Sequence, residues 1–305
     1  MARLLLIADN HLMNNPDDLT SEAEVRKHFF PSLMMRRSVP LTIVRKVINW
    51  ERNSSLSALR KLAIEASKDQ PDMLVTLGDQ LHGVSERGIA GDAGHKVACE
   101  YRTLTNSISE SDSIHVPSEH PLGYWDGEDY VPHVSIESGM PRLRLAYKRD
   151  IGGALNIQAI RNWQSVMGPL WGVREVEDLR FLWFTGDFLR WKHRLDSRLR
   201  QLHEEQRAFV ESTLRESEPK SVVLLTHRLQ LGLQETQGFH DRLSAVAFAD
   251  CHFESAAKKV MSAYKNVPFD LCFVPALWSE FGVDQPKYGI MEIQGGKISY
   301  RIHKL

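Results

Sequence analysis

The sequence of 305 residues predicts an α/β fold, in which buried strands alternate with amphipathic helices. The first observation behind this prediction is that short apolar runs recur along the chain, with helical apolar stripes between them. The second is that several runs end in a polar residue, as in VTLGDQLHG at Val75–Gly83. Open α/β sheets bind ligands at the carboxyl ends of their strands, so these polar residues are candidates for a functional site.

The first β-α-β unit of the fold is expected near the start of the chain. One strand is predicted at Arg3–Ala8, and a second ends just before Asp79. A helix between them can be capped by Ser54 or Ser55, because an apolar helical face follows directly. That face consists of Leu56, Leu59, Leu62 and Ala63. The unit therefore places Asp9 and Asp79 directly after its two strands.

The remaining elements are predicted from the same patterns. Strands are expected at Ser113–Val116, Leu179–Phe184, Ser221–His227, Phe269–Val274, Tyr288–Ile293 and Lys297–Ile302. Helices are expected around Leu202–Leu214 and Glu254–Tyr264, where apolar residues recur with helical spacing. The last two strands are joined by a Gln-Gly-Gly turn, which is typical of a hairpin.

Two regions between these elements are interpreted as irregular. Residues 83–113 are rich in glycine and serine and are expected to form a loop. We expect a single domain over residues 1–305, with an insertion at about 121–153. Within the insertion, Val131–Ile136 and Leu143–Tyr147 are predicted to form a hairpin.

The composition argues against several classes of protein. Lysine and arginine total 38 and aspartate and glutamate 39, so the net charge is −1 and no extended nucleic-acid footprint is expected. The three cysteines show no CxxC spacing, which argues against a disulfide framework and a zinc ribbon. The apolar run Leu4–Ala8 is too short for a signal peptide, and no segment reaches about 18 consecutive apolar residues. We therefore expect a cytoplasmic protein with no membrane partner.

The candidate site consists of polar residues at strand ends. In chain order they are Asp9, His11, Asp79, Glu119, His120 and His227. Carboxylate oxygens and imidazole nitrogens bind divalent cations, and two cations about 3.5–4 Å apart need a carboxylate that bridges them. Asp79 can bridge, while Asp9 and His11 can face one cation because alternate strand residues project the same way. The residues leave open a cap or turn role for Asp9 and His11 and a hydrogen-bonded strand-end role for His227.

The order of four short motifs resembles the calcineurin-like metallophosphoesterase superfamily. The motifs are ADNH at Ala8–His11, GDQLH at Gly78–His82, PSEHP at Pro117–Pro121 and LLTH at Leu224–His227. The superfamily signature is D-x-H, G-D-x-x-D, G-N-H-D/E, a strand-end histidine and G-H-x-H. The stretches Ser165–Gly186 and Glu204–Leu214 are also similar to its core strand and to the helix before the strand-end histidine. The resemblance implies a four-layer α-β-β-α sandwich of two mostly mixed sheets flanked by helices.

The same resemblance implies a metal-dependent phosphoesterase that hydrolyses a phosphomonoester or phosphodiester through a metal-bound hydroxide. Asp9 and His11 would hold the first cation, Asp79 would bridge, and His227 would hold the second. His120 would protonate the leaving oxygen or stabilise the transition state. The implied cofactors are one or two divalent ions of Mn, Fe or Zn. The implied partner is a phosphorylated small molecule or a phosphodiester substrate.

The chain departs from the superfamily signature at three places. His82 stands at the second aspartate of G-D-x-x-D. Glu119 stands at the asparagine of G-N-H, where a carboxylate still binds a cation. The strand Phe269–Val274 is expected to run into G-H-x-H, but Ala276 and Trp278 take the places of its two histidines.

These departures leave two functions open. Three protein ligands and water suffice for a catalytic cation, and His240 or His252 can substitute for a missing histidine. The alternative is a catalytically degenerate phosphoesterase fold that serves as a binding or scaffold module for a protein partner. The retained Asp9 and Asp79 favour the enzyme, whereas the altered C-terminal motif favours the scaffold.

Overall fold

The computed structural model describes residues 1–12, 18, 40–81, 88–109, 113–124, 130–137, 140–147, 154–190, 192, 195–251, 254–277 and 285–305. Two five-stranded mixed sheets form the centre of this structure. The predicted α/β class is therefore confirmed.

The first sheet is built from the two ends of the chain. Its strands are β1 (Ala2–Ile7), β2 (Met73–Leu77), β3 (Ser113–Val116), β13 (Lys287–Gln294) and β14 (Lys297–Lys304), in the order β14-β13-β1-β2-β3. β1, β2 and β3 are parallel, whereas β13 is antiparallel to β1 and to β14. Gly295 and Gly296 close the β13–β14 hairpin with φ angles of 55° and 71°, which a type I′ turn requires.

The second sheet is built from the later part of the chain. Its strands are β8 (Gly172–Val176), β9 (Leu179–Trp183), β10 (Val222–Thr226), β11 (Leu243–Phe248) and β12 (Asp270–Phe273), in the order β12-β11-β10-β9-β8. Strands β9 to β12 are parallel, and β8 is antiparallel to β9. The carboxyl ends of β9, β10, β11 and β12 therefore meet at one edge of this sheet.

Along the chain, two smaller strand pairs come between β3 of the first sheet and β8 of the second. They are β4 (Gly123–Tyr124) with β7 (Ala154–Leu155), and β5 (Tyr130–Glu137) with β6 (Met140–Tyr147). The second pair is the hairpin that the sequence predicts within the insertion.

The helices cover the outer faces of both sheets. They are α1 (Leu41–Asp69), α2 (Asp92–Asn106), α3 (Glu119–Leu122), α4 (Ile157–Val166), α5 (Asp187–Arg190), α6 (Ser197–Arg215), α7 (Leu229–Glu235) and α8 (Glu254–Ala263). Short 3₁₀ turns occur at Gly88–Ala90 and His240–Arg242. Within the described residues, no helix combines the length and apolar character that a membrane crossing requires.

Three apolar cores hold these layers together. Leu5 of β1 packs in one core with residues of α1, α2 and α4, including Tyr101 and Trp163. Leu6, the next residue, packs in a second core between the two sheets, together with Leu225 of β10. A third core joins the second sheet to α6, α7 and α8. Successive strand residues point to opposite faces, so the apolar run of β1 contributes side chains to two cores. The layers are stacked in the order helix, sheet, sheet, helix.

Three predictions about single elements are wrong. The helix expected to begin at Ser54 or Ser55 begins at Leu41, and Ser55 Oγ donates instead to the Asn10 carbonyl oxygen at 2.9 Å. The region 83–113 is not all loop, because it contains α2. The strand after β10 is not Phe269–Val274 but β11, which the sequence patterns do not predict.

Candidate metal centre

Backbone pairing that continues beyond β1 and β2 builds the first half of the site. The His11 N–H donates to the Asp79 carbonyl oxygen at 2.8 Å, and the Leu12 N–H donates to that of Gln80 at 2.9 Å. The segment after β1 therefore runs beside the segment after β2, which brings Asp9 and His11 next to Asp79. The Ser55 hydroxyl on α1 holds the Asn10 carbonyl within this loop.

Backbone pairing beyond the strand ends also builds the second half of the site, at the ends of β10 and β11. The Ala249 N–H donates to the His227 carbonyl oxygen at 3.0 Å, so the two chain segments remain paired beyond their strands. Asp250, the next residue, has its Oδ1 at 3.6 Å from His227 Nε2. The Leu277 N–H donates to the Ala8 carbonyl oxygen at 2.9 Å and joins the segment after β12 to the end of β1.

Backbone strain is concentrated at this meeting point. Asp9, His11, Asp79 and Asp250 have φ angles of 47°, 47°, 45° and 64°. Each left-handed non-glycine residue costs about 1–2 kcal/mol and persists only where its surroundings impose it. Strain of this kind marks functional sites, and here it coincides with four acidic or imidazole side chains.

Asp79 is the central residue of the cluster. Its Oδ2 lies 3.3 Å from His227 Nε2, 3.6 Å from His120 Nε2 and 3.8 Å from His11 Nε2. The Ser118 hydroxyl donates to the other oxygen, Oδ1, at 2.7 Å and accepts the Asp79 N–H at 2.6 Å. One carboxylate oxygen is thus held by Ser118, and the other faces three imidazole nitrogens.

His227 is oriented by its second ring nitrogen and by a glycine. Nδ1 donates to the Leu77 carbonyl oxygen at 2.8 Å, which directs Nε2 toward Asp79. A histidine that binds a metal commonly donates its other N–H to a backbone carbonyl in this way. Gly78 makes the contact possible, because a Cβ at this position would lie 2.3 Å from Nδ1 of the ring.

Two groups of donor atoms converge in this region and share Asp79. One consists of His11, Asp79 and His120, and the other of Asp9, Asp79 and His227, with the donor atoms of each group within 4.8 Å of one another. Carboxylate oxygen and imidazole nitrogen suit Zn, Mn and Fe ions. Each group therefore has the donor atoms to hold a divalent cation, and Asp79 belongs to both groups. The grouping of His11 with His120, rather than with Asp9, differs from the pairing that the resemblance implies.

The protonation states of Asp79 and His227 depend on each other. Burial raises the pKa of Asp79, but the nearby imidazoles of His120, His227 and His11 outweigh burial and hold that pKa well below its usual value. Burial lowers the pKa of His227, but Asp79 and Asp9 outweigh it and raise that pKa well above its usual value. These shifts favour an ionised Asp79 beside a protonated His227. A cation at this site would displace the proton from His227.

Exposure differs between the two sides of the cluster. Asp9, Asp79 and His227 are buried, whereas the side chains of His120 and Asp250 are 17% and 31% exposed. Arg228 is also partly exposed, and its Nη2 lies 3.1 Å from Asp250 Oδ1. A molecule entering from solvent would thus meet His120, Asp250 and Arg228 first.

Asp250 is the site residue that the sequence analysis missed. It follows β11, a strand in which half of the residues are serine or alanine. Because this strand is not predicted from the sequence, the G-H-x-H motif is expected at Pro275–Trp278 instead. The signal that would have found it is a polar residue directly after an apolar run, the same signal that identifies Asp79. Ala276 lies beside Ala8 and carries no donor side chain.

Several predicted residues are not in the donor groups. His240 lies before β11, at the edge away from the site, where its Nε2 is 3.2 Å from the Leu233 carbonyl oxygen. It packs edge-on against Phe269, so its role is structural and the suggestion that it substitutes as a ligand is wrong. His82, His252, Trp278 and the side chain of Glu119 lie outside the described part of the chain.

Comparison with models of known protein families and with curated proteins found no match.

Proposed function

We propose that this chain is a metal-dependent phosphoesterase of the calcineurin-like type, with an altered metal shell. The observation that carries the proposal is the pair of donor groups that share Asp79 at the carboxyl ends of strands from both sheets. Two cations joined by one carboxylate are typical of enzymes that hydrolyse phosphoesters. The ordered motifs around Asp9, Asp79 and His227 support the same class.

The fold supports this proposal. Two mixed sheets packed face to face, with helices outside each, agree with the four-layer sandwich that the resemblance implies. The strand order also supports a new alignment of the last motif. If β11 is the strand after the strand-end histidine, the tetrapeptide at G-H-x-H is Ala249-Asp250-Cys251-His252, and Asp250 stands at the first histidine. A carboxylate then takes the place of an imidazole.

The residues of the centre have distinct roles in this proposal. Asp9, Asp79, His227 and Asp250 would hold one cation, and His11 and Asp79, with water, the other, which leaves the His120 imidazole unbound. Bound cations would neutralise charge on the phosphoryl oxygens and supply an activated water. His120 lies on the exposed side, where an imidazole is placed to donate a proton to the leaving oxygen. Ser118 fixes the orientation of Asp79 and so the position of the bridge.

The Asp79→Asn variant tests this proposal directly. The purified chain is expected to contain Mn, Fe or Zn, and to hydrolyse p-nitrophenyl phosphate or bis-p-nitrophenyl phosphate when Mn²⁺ is added. Asp79→Asn is expected to lower metal content and to reduce the rate at least about 100-fold, because the bridging charge is lost. A wild-type chain with no bound metal and no Mn²⁺-dependent hydrolysis would refute the proposal.

A second candidate is a phosphoesterase fold that has lost turnover and acts as a binding or scaffold module. The observation in its favour is that ionised Asp79 and protonated His227 compensate each other without a cation. The metal analysis separates the two candidates. A module of this kind would take up no stoichiometric Mn²⁺, and Asp79→Asn would destabilise its fold because His227 would lose its buried counter-charge.

A further inference from the structure

The solvent face of α1 carries a line of large apolar side chains. Ile43, Trp50 and Ile64 are 48%, 49% and 59% exposed, although the opposite face of the helix packs in the core. They are separated by seven and fourteen residues, so they project from one side of the helix, with a drift of about 20° per heptad. At about 1.5 Å per residue the line is about 30 Å long. A single row of this length matches one partner helix laid along α1.

The line has a gap, and a groove opens at the gap. Ser57 stands at the position between Trp50 and Ile64 where the heptad spacing would place the next large side chain. A groove of about 350 Å³ lies beside it, lined among others by Trp50, Lys61, Pro286 and Leu305. A large apolar side chain from a partner would fill this groove and complete the row.

Cations flank the line on both sides. Lys46 comes three residues after Ile43 and Arg60 three residues after Ser57, whereas Lys61 comes four residues after Ser57. Spacings of three and four residues place side chains on opposite flanks of the row. These three side chains are exposed and make no ion pair with a residue that the structure describes. The nearby acids do not neutralise them, because Glu51 is buried and Glu65 pairs with Lys68 at 2.8 Å. The face is therefore both apolar and positively charged.

We propose that this face of α1 binds an acidic amphipathic helix of a partner protein. The partner would place one apolar residue in every seven along the row, insert a large one beside Ser57 and present carboxylates to Lys46, Arg60 and Lys61. An anionic membrane fits less well, because three apolar residues in one row give little insertion area and a lipid surface does not fill a groove. The proposal is independent of the hydrolase function.

The test selects partners from a display library of helical peptides about 25 residues long, a length at which helices form. The full chain serves as bait, and Trp50→Ala serves as the comparison bait. Enriched peptides are expected to carry heptad-spaced apolar residues with flanking Glu or Asp. Synthetic copies are expected to bind Trp50→Ala and Lys61→Glu at least about tenfold more weakly, and to lose affinity as salt rises. Lys259→Glu, an exposed charge reversal on α8, is the matched control and should bind normally.

Each other outcome overturns the proposal. Selection that enriches no acidic heptad pattern, or peptides that bind Trp50→Ala as well as the wild type, would show that the row is not a docking face. Binding to phosphatidylserine vesicles that depends on Trp50 would assign the face to a membrane. Concentration-dependent self-association that Trp50→Ala abolishes would assign it to a second copy of this chain. Unchanged unfolding temperatures confirm that the variants alter only this surface.

Discussion

Asp250 would change the charge of the proposed centre, because the proposed alignment sets this carboxylate at the first histidine of G-H-x-H. It lies 3.6 Å from His227 Nε2 and is partly exposed. We predict that Asp250→Asn weakens Mn²⁺ binding at least about tenfold, since even outer-sphere partners of a metal contribute that much. Calorimetric titration of the metal-free protein measures the change.

The control for this variant is Asp241→Asn, a surface aspartate before β11 that is 65% exposed. It should leave Mn²⁺ affinity unchanged. Equal affinities for wild type and Asp250→Asn would remove Asp250 from the metal shell.

Gly78 provides a second test at the scale of one residue. An alanine here is strained by a φ of 80° and would place its Cβ 2.3 Å from the His227 ring. We predict that Gly78→Ala lowers the free energy of unfolding by about 2–4 kcal/mol and displaces His227 from the site. Denaturant unfolding and Mn²⁺ titration measure the two effects.

Gly238→Ala separates strain from steric contact. Gly238 has a comparable φ of 92°, but no atom lies within 4 Å of the position that an added Cβ would occupy, so only the strain cost of about 1–2 kcal/mol is expected. If the two variants were equally stable and bound Mn²⁺ equally well, the contact between Gly78 and His227 would be irrelevant to the site.

At the scale of elements, α2 and β3 enclose a buried histidine behind the site. His115 Nδ1 lies 2.9 Å from Thr76 Oγ1, and Thr76 also accepts a hydrogen bond from Gln80, the neighbour of Asp79. Burial, together with the positive charge of Arg102, lowers the pKa of His115 to about 3. This element interface is therefore built around a neutral imidazole.

The lowered pKa of His115 predicts a pH dependence of stability. Between its unfolded pKa of about 6.5 and its folded pKa, the unfolded chain binds the proton and the folded chain does not, so stability falls as the pH falls. The loss attributable to this group reaches about 1.4 kcal/mol per pH unit within that window. In EDTA between pH 6.5 and 4.5, His115→Gln should show a shallower decline than the wild type. A wild-type slope in His115→Gln would contradict the assignment.

The elements that the sequence predicts correctly are those with large apolar side chains. β1, β2, β9 and β10 are buried on both faces and read as continuous apolar runs, so burial and sequence agree. α2 was missed because its buried face includes Gly94, Ala98 and Thr105, which give a weak apolar pattern. β11 was missed for a similar reason, since one serine and two alanines make up half of its six residues. The first part of α1 was missed because its apolar residues do not form one stripe: Val44 and Ile48 are buried, whereas Ile43 and Trp50 face solvent.

The same contrast applies to the candidate site. The rule that polar residues follow buried strands brought Asp9, His11, Asp79, His120 and His227 into one hypothesis, and the structure places them together. The rule failed at Asp250 only because its strand was not recognised. The contacts of Ser118 with Asp79 depend on a tertiary arrangement that spacing does not reveal.

At the scale of the whole molecule, cations are expected to stabilise the fold, because the donor residues belong to both sheets. A ligand that binds only the folded state at about 100 times its dissociation constant raises the free energy of unfolding by about 2.7 kcal/mol. We predict that Mn²⁺ raises the unfolding temperature of the EDTA-treated wild type by several degrees. Differential scanning calorimetry measures the shift, and it should be absent in Asp79→Asn. An equal shift in that variant would place the stabilising ion elsewhere.

The two donor groups become available at different times during synthesis. His11, Asp79 and His120 all lie in the first part of the chain, at the ends of β1, β2 and β3, whereas Asp9 and Asp79 must wait for His227 and the second sheet. In the proposed centre, the residues of one donor group would therefore be synthesised before His227 completes the other. Both groups would still wait for β13 and β14, because these C-terminal strands complete the sheet that carries Asp9, His11 and Asp79.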